Sequence, residues 1–252
     1  MSSAHCLNCG KSLHDKYCAH CGQSAETHRF NWAHFIHEIP HSIFHLDKGF
    51  LYTAKELFIR PGKSVREFLD GKRIKHFRPL TYAIILGVIM SLGLFGYNAP
   101  EQIHAADLPA DQSNMEIQIE GDTLNYLFSK YYGLIVILCV PFYALFAWMF
   151  YRKERNFIEI VTAFVFIYAH TTWFALLLVL ARWLENETLQ EVVVYTWATL
   201  VLSYIIWGNT TLFTRYKPAG RLLRGILIFS FGFVLAGIAV LLGAFVFQQM
   251  HH

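Results

Sequence analysis

Charge is what this chain has least of. Only 15% of its 252 residues are Asp, Glu, Lys or Arg, while 55% are hydrophobic, a balance outside that of soluble globular domains. The formal net charge is just +3, and the basic residues stand beside apolar stretches, so no nucleic-acid partner is expected. The parts of an enzyme are missing as well. No nucleophile stands with a base, no carboxylate pair lies inside an apolar stretch, and His170-Thr171-Thr172 does not make a triad. Gly62-Lys63-Ser64 lacks the first glycine of a phosphate loop, and no strand pattern precedes it. Neither internal repeats nor paired intramembrane charges mark a substrate path. The chain therefore reads as a membrane protein and not as an enzyme.

Cysteine is also scarce, and its placement is informative. Four of the five cysteines fall in Cys6-Leu-Asn-Cys9-Gly10 and Cys18-Ala-His-Cys21-Gly22. Each pair can offer two thiolates to one ion, and the following glycine lets the backbone turn tightly enough to aim them. The prediction is a zinc ribbon over residues 1–27, with structural Zn²⁺ held by Cys6, Cys9, Cys18 and Cys21. So small a segment buries too little to fold alone, and metal binding of about 10–16 kcal/mol would drive its folding. A four-thiolate shell has no open position for water, so the ion is not expected to be catalytic. Disulfides are the competing reading. No cleavable secretory signal is evident before the first cysteine, and paired Cys-x-x-Cys suits a metal better. His5, His14 and His20 stand near the thiols as substitute ligands, but the four cysteines already complete a shell.

Residues 80–252 form the predicted transmembrane domain. The expected fold class is mainly α, a helical polytopic membrane protein of about five transmembrane helices, with the small N-terminal zinc ribbon and an interfacial amphipathic helix. The predicted spans are Leu80–Tyr97, Tyr131–Tyr151, Phe157–Ala181, Val192–Phe213 and Leu222–Phe247. Val192–Phe213 is the least apolar, carrying Thr196, Thr199, Ser203 and Asn209, and a four-span alternative lays it on the surface. Lys and Arg accumulate in cytoplasmic loops. Lys72, Arg73, Lys75 and Arg78, then Arg152, Lys153 and Arg155, then Arg215, Lys217, Arg221 and Arg224 fall on one side, against Lys130 and Arg182 on the other. The expected topology is multi-pass, with the N-terminus cytoplasmic and the C-terminus outside. A reducing cytoplasm keeps the cysteines available to zinc.

Residues 28–79 lie between ribbon and membrane. Over Asn31–Leu46, helical projection puts Trp32, Phe35, Ile36, Ile39, Ile43 and Leu46 on one face and His34, His37, His41 and His45 on the other. The histidine face has three readings: a solvated surface, a second metal site, or a pH-sensitive grip on anionic headgroups. Further on, Pro61 suits a helix start and Gly71 a stop, with Val65, Phe68 and Leu69 inward and Lys63 and Arg66 exposed. Lys63, Arg66, Lys72, Arg73, Lys75 and Arg78 make a basic cluster for headgroup or partner contact, each worth about 1 kcal/mol beside an anionic leaflet.

The Cys-x-x-Cys-Gly and Cys-x-x-Cys-Gly-Gln knuckles, followed by Arg60-Pro61-Gly62-Lys63-x-x-Arg66-x-Phe68-x-x-Gly71-Lys72-Arg73 and Phe77-x-Pro79, resemble a bacterial membrane family, domain of unknown function 3667, over roughly the first ninety residues. The resemblance implies a zinc-ribbon head on a multi-span protein of the bacterial inner membrane, with no activity to carry over. Inside the membrane, His170 and Glu159 share a helical face and form a candidate polar site. The ordinary alternative for His170 is a hydrogen bond to Thr or Tyr of a neighbouring span. Gly87-x-x-x-Ser91 and Gly232-x-x-x-Ala236 offer close helix packing. Two function classes stay open. One is a non-catalytic scaffold or regulator engaging a cytoplasmic protein partner or the inner leaflet. The other is a small homo-oligomeric transporter or channel using the polar third and fourth spans.

Overall fold

The computed structural model describes residues 5–25, 27, 48–95, 112–181, 184 and 186–251. Asn31–Leu46, with His34, His37, His41 and His45, lies outside the described residues. Among the described residues no strand forms, and the helices follow in order: α1 (Lys48–Ile59), α2 (Pro61–Leu69), α3 (Pro79–Phe95), α4 (Gln112–Tyr151), α5 (Phe157–His170), α6 (Thr172–Ala181), α7 (Glu187–Leu212) and α8 (Pro218–His251).

Local chemistry sets the helix ends. Pro61 occupies the start of α2, where its missing N–H is not needed. At the other end, Gly71 takes φ +102. Lys72 N–H then reaches Glu67 O at 2.9 Å and Gly71 N–H reaches Phe68 O at 3.1 Å, which is a Schellman turn. A capping box starts α5: the Asn156 side chain accepts from Glu159 N–H at 2.8 Å, and the Glu159 carboxylate accepts from Asn156 N–H at 3.0 Å.

Tyr131–Tyr151, Phe157–Leu180, Thr188–Leu212 and Pro218–Val240 are long and apolar enough to cross a membrane. The remaining predicted span, Leu80–Tyr97, falls on α3, an apolar helix described as far as Phe95 whose 17 residues rise about 26 Å. The stretch weighed as a surface helix, Val192–Phe213, coincides but for its last residue with part of Thr188–Leu212, one of the four that suffice. Two boundaries also differ from expectation. Gln112–Lys130, which lies between the predicted spans Leu80–Tyr97 and Tyr131–Tyr151, is helical and joins the second span at Tyr131, whose φ −112 and ψ 17 interrupt the helix. The third span, Phe157–Leu180, tightens at Thr171, where both the backbone N–H, at 3.2 Å, and the hydroxyl, at 2.6 Å, donate to Tyr168 O.

Helix α5 is apolar all round, and such helices belong in the middle of a fold. Every residue from Ile158 to His170 is buried, and α1, α2, α3, α4, α6 and α7 all touch this helix. Helix α1 buries Phe50, Ala54 and Leu57, spaced for one helical face, in the same core. Glycine governs the tightest crossings. A Cβ on Gly87 of α3 would lie 2.5 Å from the Cα of Gly133 in α4, so Gly87 packs within the chain. Gly232 likewise admits the Tyr143 ring, and Gly62 of α2 lies against the backbone of Leu212 at the end of α7.

Candidate metal centre

The two knuckles repeat one geometry. Cys6 N–H donates to Lys11 O at 2.7 Å and Gly10 N–H to Cys6 O at 2.8 Å; Cys18 N–H donates to Gln23 O and Gly22 N–H to Cys18 O, both at 2.8 Å. Gly10 and Gly22 reach φ 73 and 76, the left-handed turn that each knuckle needs. Facing each other, the knuckles bring Cys6 Sγ to 3.6 Å from Cys21 Sγ and Cys9 Sγ to 3.6 Å from Cys18 Sγ. All four sulfurs lie within 4.8 Å of one another. A tetrahedral ion with sulfur ligands at about 2.3 Å places them about 3.8 Å apart, whereas a disulfide requires about 2.05 Å. The cysteines are free thiols at metal spacing, so the residues fit a metal ion.

Electrostatics favour the same ligand. The Gln23 backbone N–H, opposed by burial and assisted by Asn8, Cys6 and Cys9, lowers the Cys21 thiol to about 6. Cys9 goes the other way. Although the Lys11 backbone favours its thiolate, burial and the neighbouring thiols raise it to about 12. Negative charge in so small a space resists a second ionisation, and a dication removes that resistance with release of protons.

The head is tied to the helices by a residue the sequence reading did not single out. Gln23, 4% exposed, sends its Nε2 to Gly71 O at 2.8 Å, and its Oε1 accepts from Arg73 N–H at 3.0 Å and Ile74 N–H at 3.3 Å. Both ends of one amide thus hold the turn that follows α2. Leu7, next to Cys6, covers Gly71, where a Cβ would fall 2.7 Å from Leu7 Cδ1. Beside this contact a cleft of about 220 Å³ opens between head, α2 and α5, lined by Leu7, Thr27, Asp70, Arg73, Arg155 and Glu159 among others. Asp70 and Arg155 pair across it at 2.6 Å. The only sequence signal for the clasp is the Gln that follows the second knuckle.

The basic cluster divides. Lys63, Lys72, Lys75 and Arg78 are exposed. Arg66, expected to be exposed, instead donates to the carbonyls of Thr211 and Leu212, where cations suit a helix C-terminus. Arg73 lies 5.5 Å from the Phe68 ring centroid and donates to Phe68 O. The same turn carries His76, whose Nδ1–H donates to Lys72 O and whose Nε2 accepts from the Ser64 hydroxyl, each at 3.0 Å. Burial lowers His76 below the ordinary histidine value.

Glu159 and His170 are both buried, but the structure does not bring them together. The Glu159 carboxylate serves the capping box at the foot of α5. His170 lies eleven residues on, about 16 Å along the helix, and Phe166 stands between them, buried against Phe68 and Tyr82. His170 Nδ1 is 2.7 Å from Tyr82 Oη, which also accepts from Trp173 Nε1–H at 3.1 Å. Phe58, Phe174 and Tyr204 close the ring around the imidazole.

Among curated proteins and solved structures, nothing matches this chain. The family described as a protein of unknown function, DUF3667, matches residues 47–91, the stretch from α1 through the clasped turn into α3, which begins after the cysteine knuckles.

Proposed function

We propose that this chain is a non-catalytic scaffold or regulator of the bacterial inner membrane, with a structural zinc ribbon on the cytoplasmic side. The observation that carries the reading is the Gln23 clasp. A head held to the membrane helices by three hydrogen bonds and the Leu7 contact transmits whatever binds it to the turn from which α3 rises. Orientation rests on the Lys and Arg of the head-side loops, Arg152, Lys153, Arg215 and Lys217 among them. The exposed Lys63, Lys72, Lys75 and Arg78 suit anionic headgroups or an acidic cytoplasmic partner. Zinc is favoured by the four-thiolate tetrahedral set.

The transporter reading draws on His170, whose Nε2 is buried without a hydrogen-bond partner. Against a continuous path stands the packed Phe166. One comparison separates the two readings. The full chain is purified with its metal counted by elemental analysis, its partners identified by cross-linking in cells, and its transport measured in vesicles. The scaffold reading expects one zinc per chain and a defined cross-linked partner that is lost in Gln23→Ala while zinc is retained. Uptake or current that His170→Ala abolishes, with no partner lost in Gln23→Ala, would overturn it, and iron in place of zinc would overturn the metal assignment.

A further inference from the structure

We propose that α1 and the turn into α2 lie inside the leaflet on the head side as a re-entrant hairpin, and that the outer face of α1 is a contact surface for lipid acyl chains. This holds whether the chain is a scaffold or a transporter. Depth follows from helical rise. The Tyr151 ring stacks on Phe213 at 3.7 Å, and Trp148 meets the Phe157 ring edge-on at 6.3 Å, so α4, α5 and α7 have their head-side ends at one level. The apolar spans Tyr131–Tyr151, Phe157–Leu180 and Thr188–Leu212 share that boundary. His170 lies thirteen residues from Phe157, about 20 Å along the helix, and Tyr204 nine residues from Phe213, about 14 Å. Helix α1 reaches both. The Phe58 ring is 4.2 Å from the His170 ring, and the Tyr204 hydroxyl donates to Leu57 O at 3.3 Å. At its other end Phe50 packs 5.2 Å from Tyr82, in the first turn of α3. The Gly87–Gly133 crossing gives the depth of that turn by another route. Gly133 stands about 27 Å from Tyr151 and Gly87 about 12 Å from Pro79, so α3 begins about 15 Å inward. Headgroups take up about 5–8 Å on each side of the hydrocarbon core, so α1 ends among acyl chains. Lys75 and Arg78, exposed in the turn before α3, are long enough to reach back to the headgroups.

What covers α1 follows from the same depth. Every residue of α5 from Ile158 to His170 is buried, and α1 is part of the protein shell around it. The side of α1 turned away from α5 therefore meets the bilayer. Leu51, Lys55, Phe58 and Ile59 fall on that side at the spacing of one helical face, with Leu51 70% and Ile59 58% exposed and Phe58 at the edge. Apolar side chains with one long cation suit a leaflet, where Lys55 extends to the phosphates. A helix that ends in hydrocarbon must also satisfy its carbonyls. Glu56 O accepts from Arg60 N–H at 2.8 Å, Arg60 O from Ser64 N–H at 2.9 Å, and Leu57 O from Tyr204. Charge at the turn is paired within the chain: Arg60 binds the Glu56 and Glu67 carboxylates, and Arg66 the Thr211 and Leu212 carbonyls. Helix α2 then returns to the boundary, where Asp70 pairs with Arg155 at 2.6 Å.

Photolabelling of the wild-type full chain in lipid nanodiscs tests the proposal. One sample carries a phospholipid with a diazirine midway along its acyl chain, the other a water-soluble diazirine, and labelled residues are read by mass spectrometry. Leu51 and Ile59 should take the acyl label within about threefold of the exposed Phe233 on α8, and at least tenfold above Lys11 of the head. They should take at least tenfold less of the aqueous label than Lys11. Aqueous labelling of Leu51 and Ile59 equal to that of Lys11 would place α1 in water and overturn the proposal. A face that takes neither label, as it would if another stretch of this chain or a second protein covered it, overturns it as well.

Discussion

Replacing Gln23 by Ala removes an amide that holds three backbone groups, Gly71 O at 2.8 Å, Arg73 N–H at 3.0 Å and Ile74 N–H at 3.3 Å. The side chain is only 4% exposed, so water does not readily replace it. At about 1 kcal/mol net for each hydrogen bond, the loss is about 3 kcal/mol. With tenfold for every 1.4 kcal/mol, the ratio of docked to undocked head should fall roughly a hundredfold. None of the four sulfurs is touched, so metal content should stay at the wild-type value. The assay is amide hydrogen exchange on the full chain in lipid nanodiscs, read at Arg73 and Ile74. Exchange there should accelerate by about the same hundredfold, while amides in the middle of α5 keep their protection. Gln23→Glu keeps an acceptor for Arg73 and Ile74 but sets a second oxygen against the Gly71 carbonyl, and should fall between wild type and Gln23→Ala. Wild-type protection at Arg73 and Ile74 in Gln23→Ala would refute the reasoning, because the clasp would then contribute nothing to docking.

Other outcomes follow from the same contacts. Gly71→Ala meets both the φ of +102 and Leu7 Cδ1 at 2.7 Å, and should lower stability by about 1–3 kcal/mol, read as a lower thermal midpoint with faster exchange in the turn. Gly133→Leu forces α3 and α4 apart where a single Cβ would already lie 2.5 Å from Gly87 Cα; a thermal midpoint equal to wild type in the same detergent would contradict the crossing. Burial holds His76 below its ordinary value, so the fold favours the neutral ring against the opposing influence of Lys72 O, Glu56 and Glu67. Its contribution to stability is complete above about pH 6.5 and is lost as pH falls from there through the lower folded value. Thermal midpoints between pH 7.5 and 5 should therefore drop less in His76→Gln than in wild type.

What could be read from the sequence was local. Two cysteines and a glycine within five residues define a knuckle, and Pro61 and Gly71 mark the ends of a helix, because each acts through its own backbone. The length of an apolar run gave the spans, Tyr131–Tyr151 and Phe157–Leu180 among them. Partners distant in sequence left no such mark. Gln23 meets Gly71 across 48 residues and Arg66 meets Thr211 across 145. A polar residue after a knuckle and a cation on an amphipathic helix both look like solvated surface until the fold supplies their acceptors. His170 lies between these cases. The expectation of a Thr or Tyr from a neighbouring span identified the kind of partner, but that it is Tyr82, itself held by Trp173, required the packing of α3 on α5 and α6.

On the proposed function, a metal-organised head holds the turn at the base of α3. The measurement that meets it most directly is hydrogen exchange at Arg73 and Ile74 in the full chain before and after a chelator strips the metal, with the released metal quantified. Removal should free the second knuckle, withdraw Gln23 from the turn and bring both amides close to the Gln23→Ala rates, and returning zinc should restore protection. If both amides stay as protected in the metal-free protein as in the loaded one, the head does not depend on the metal to dock, and the account fails.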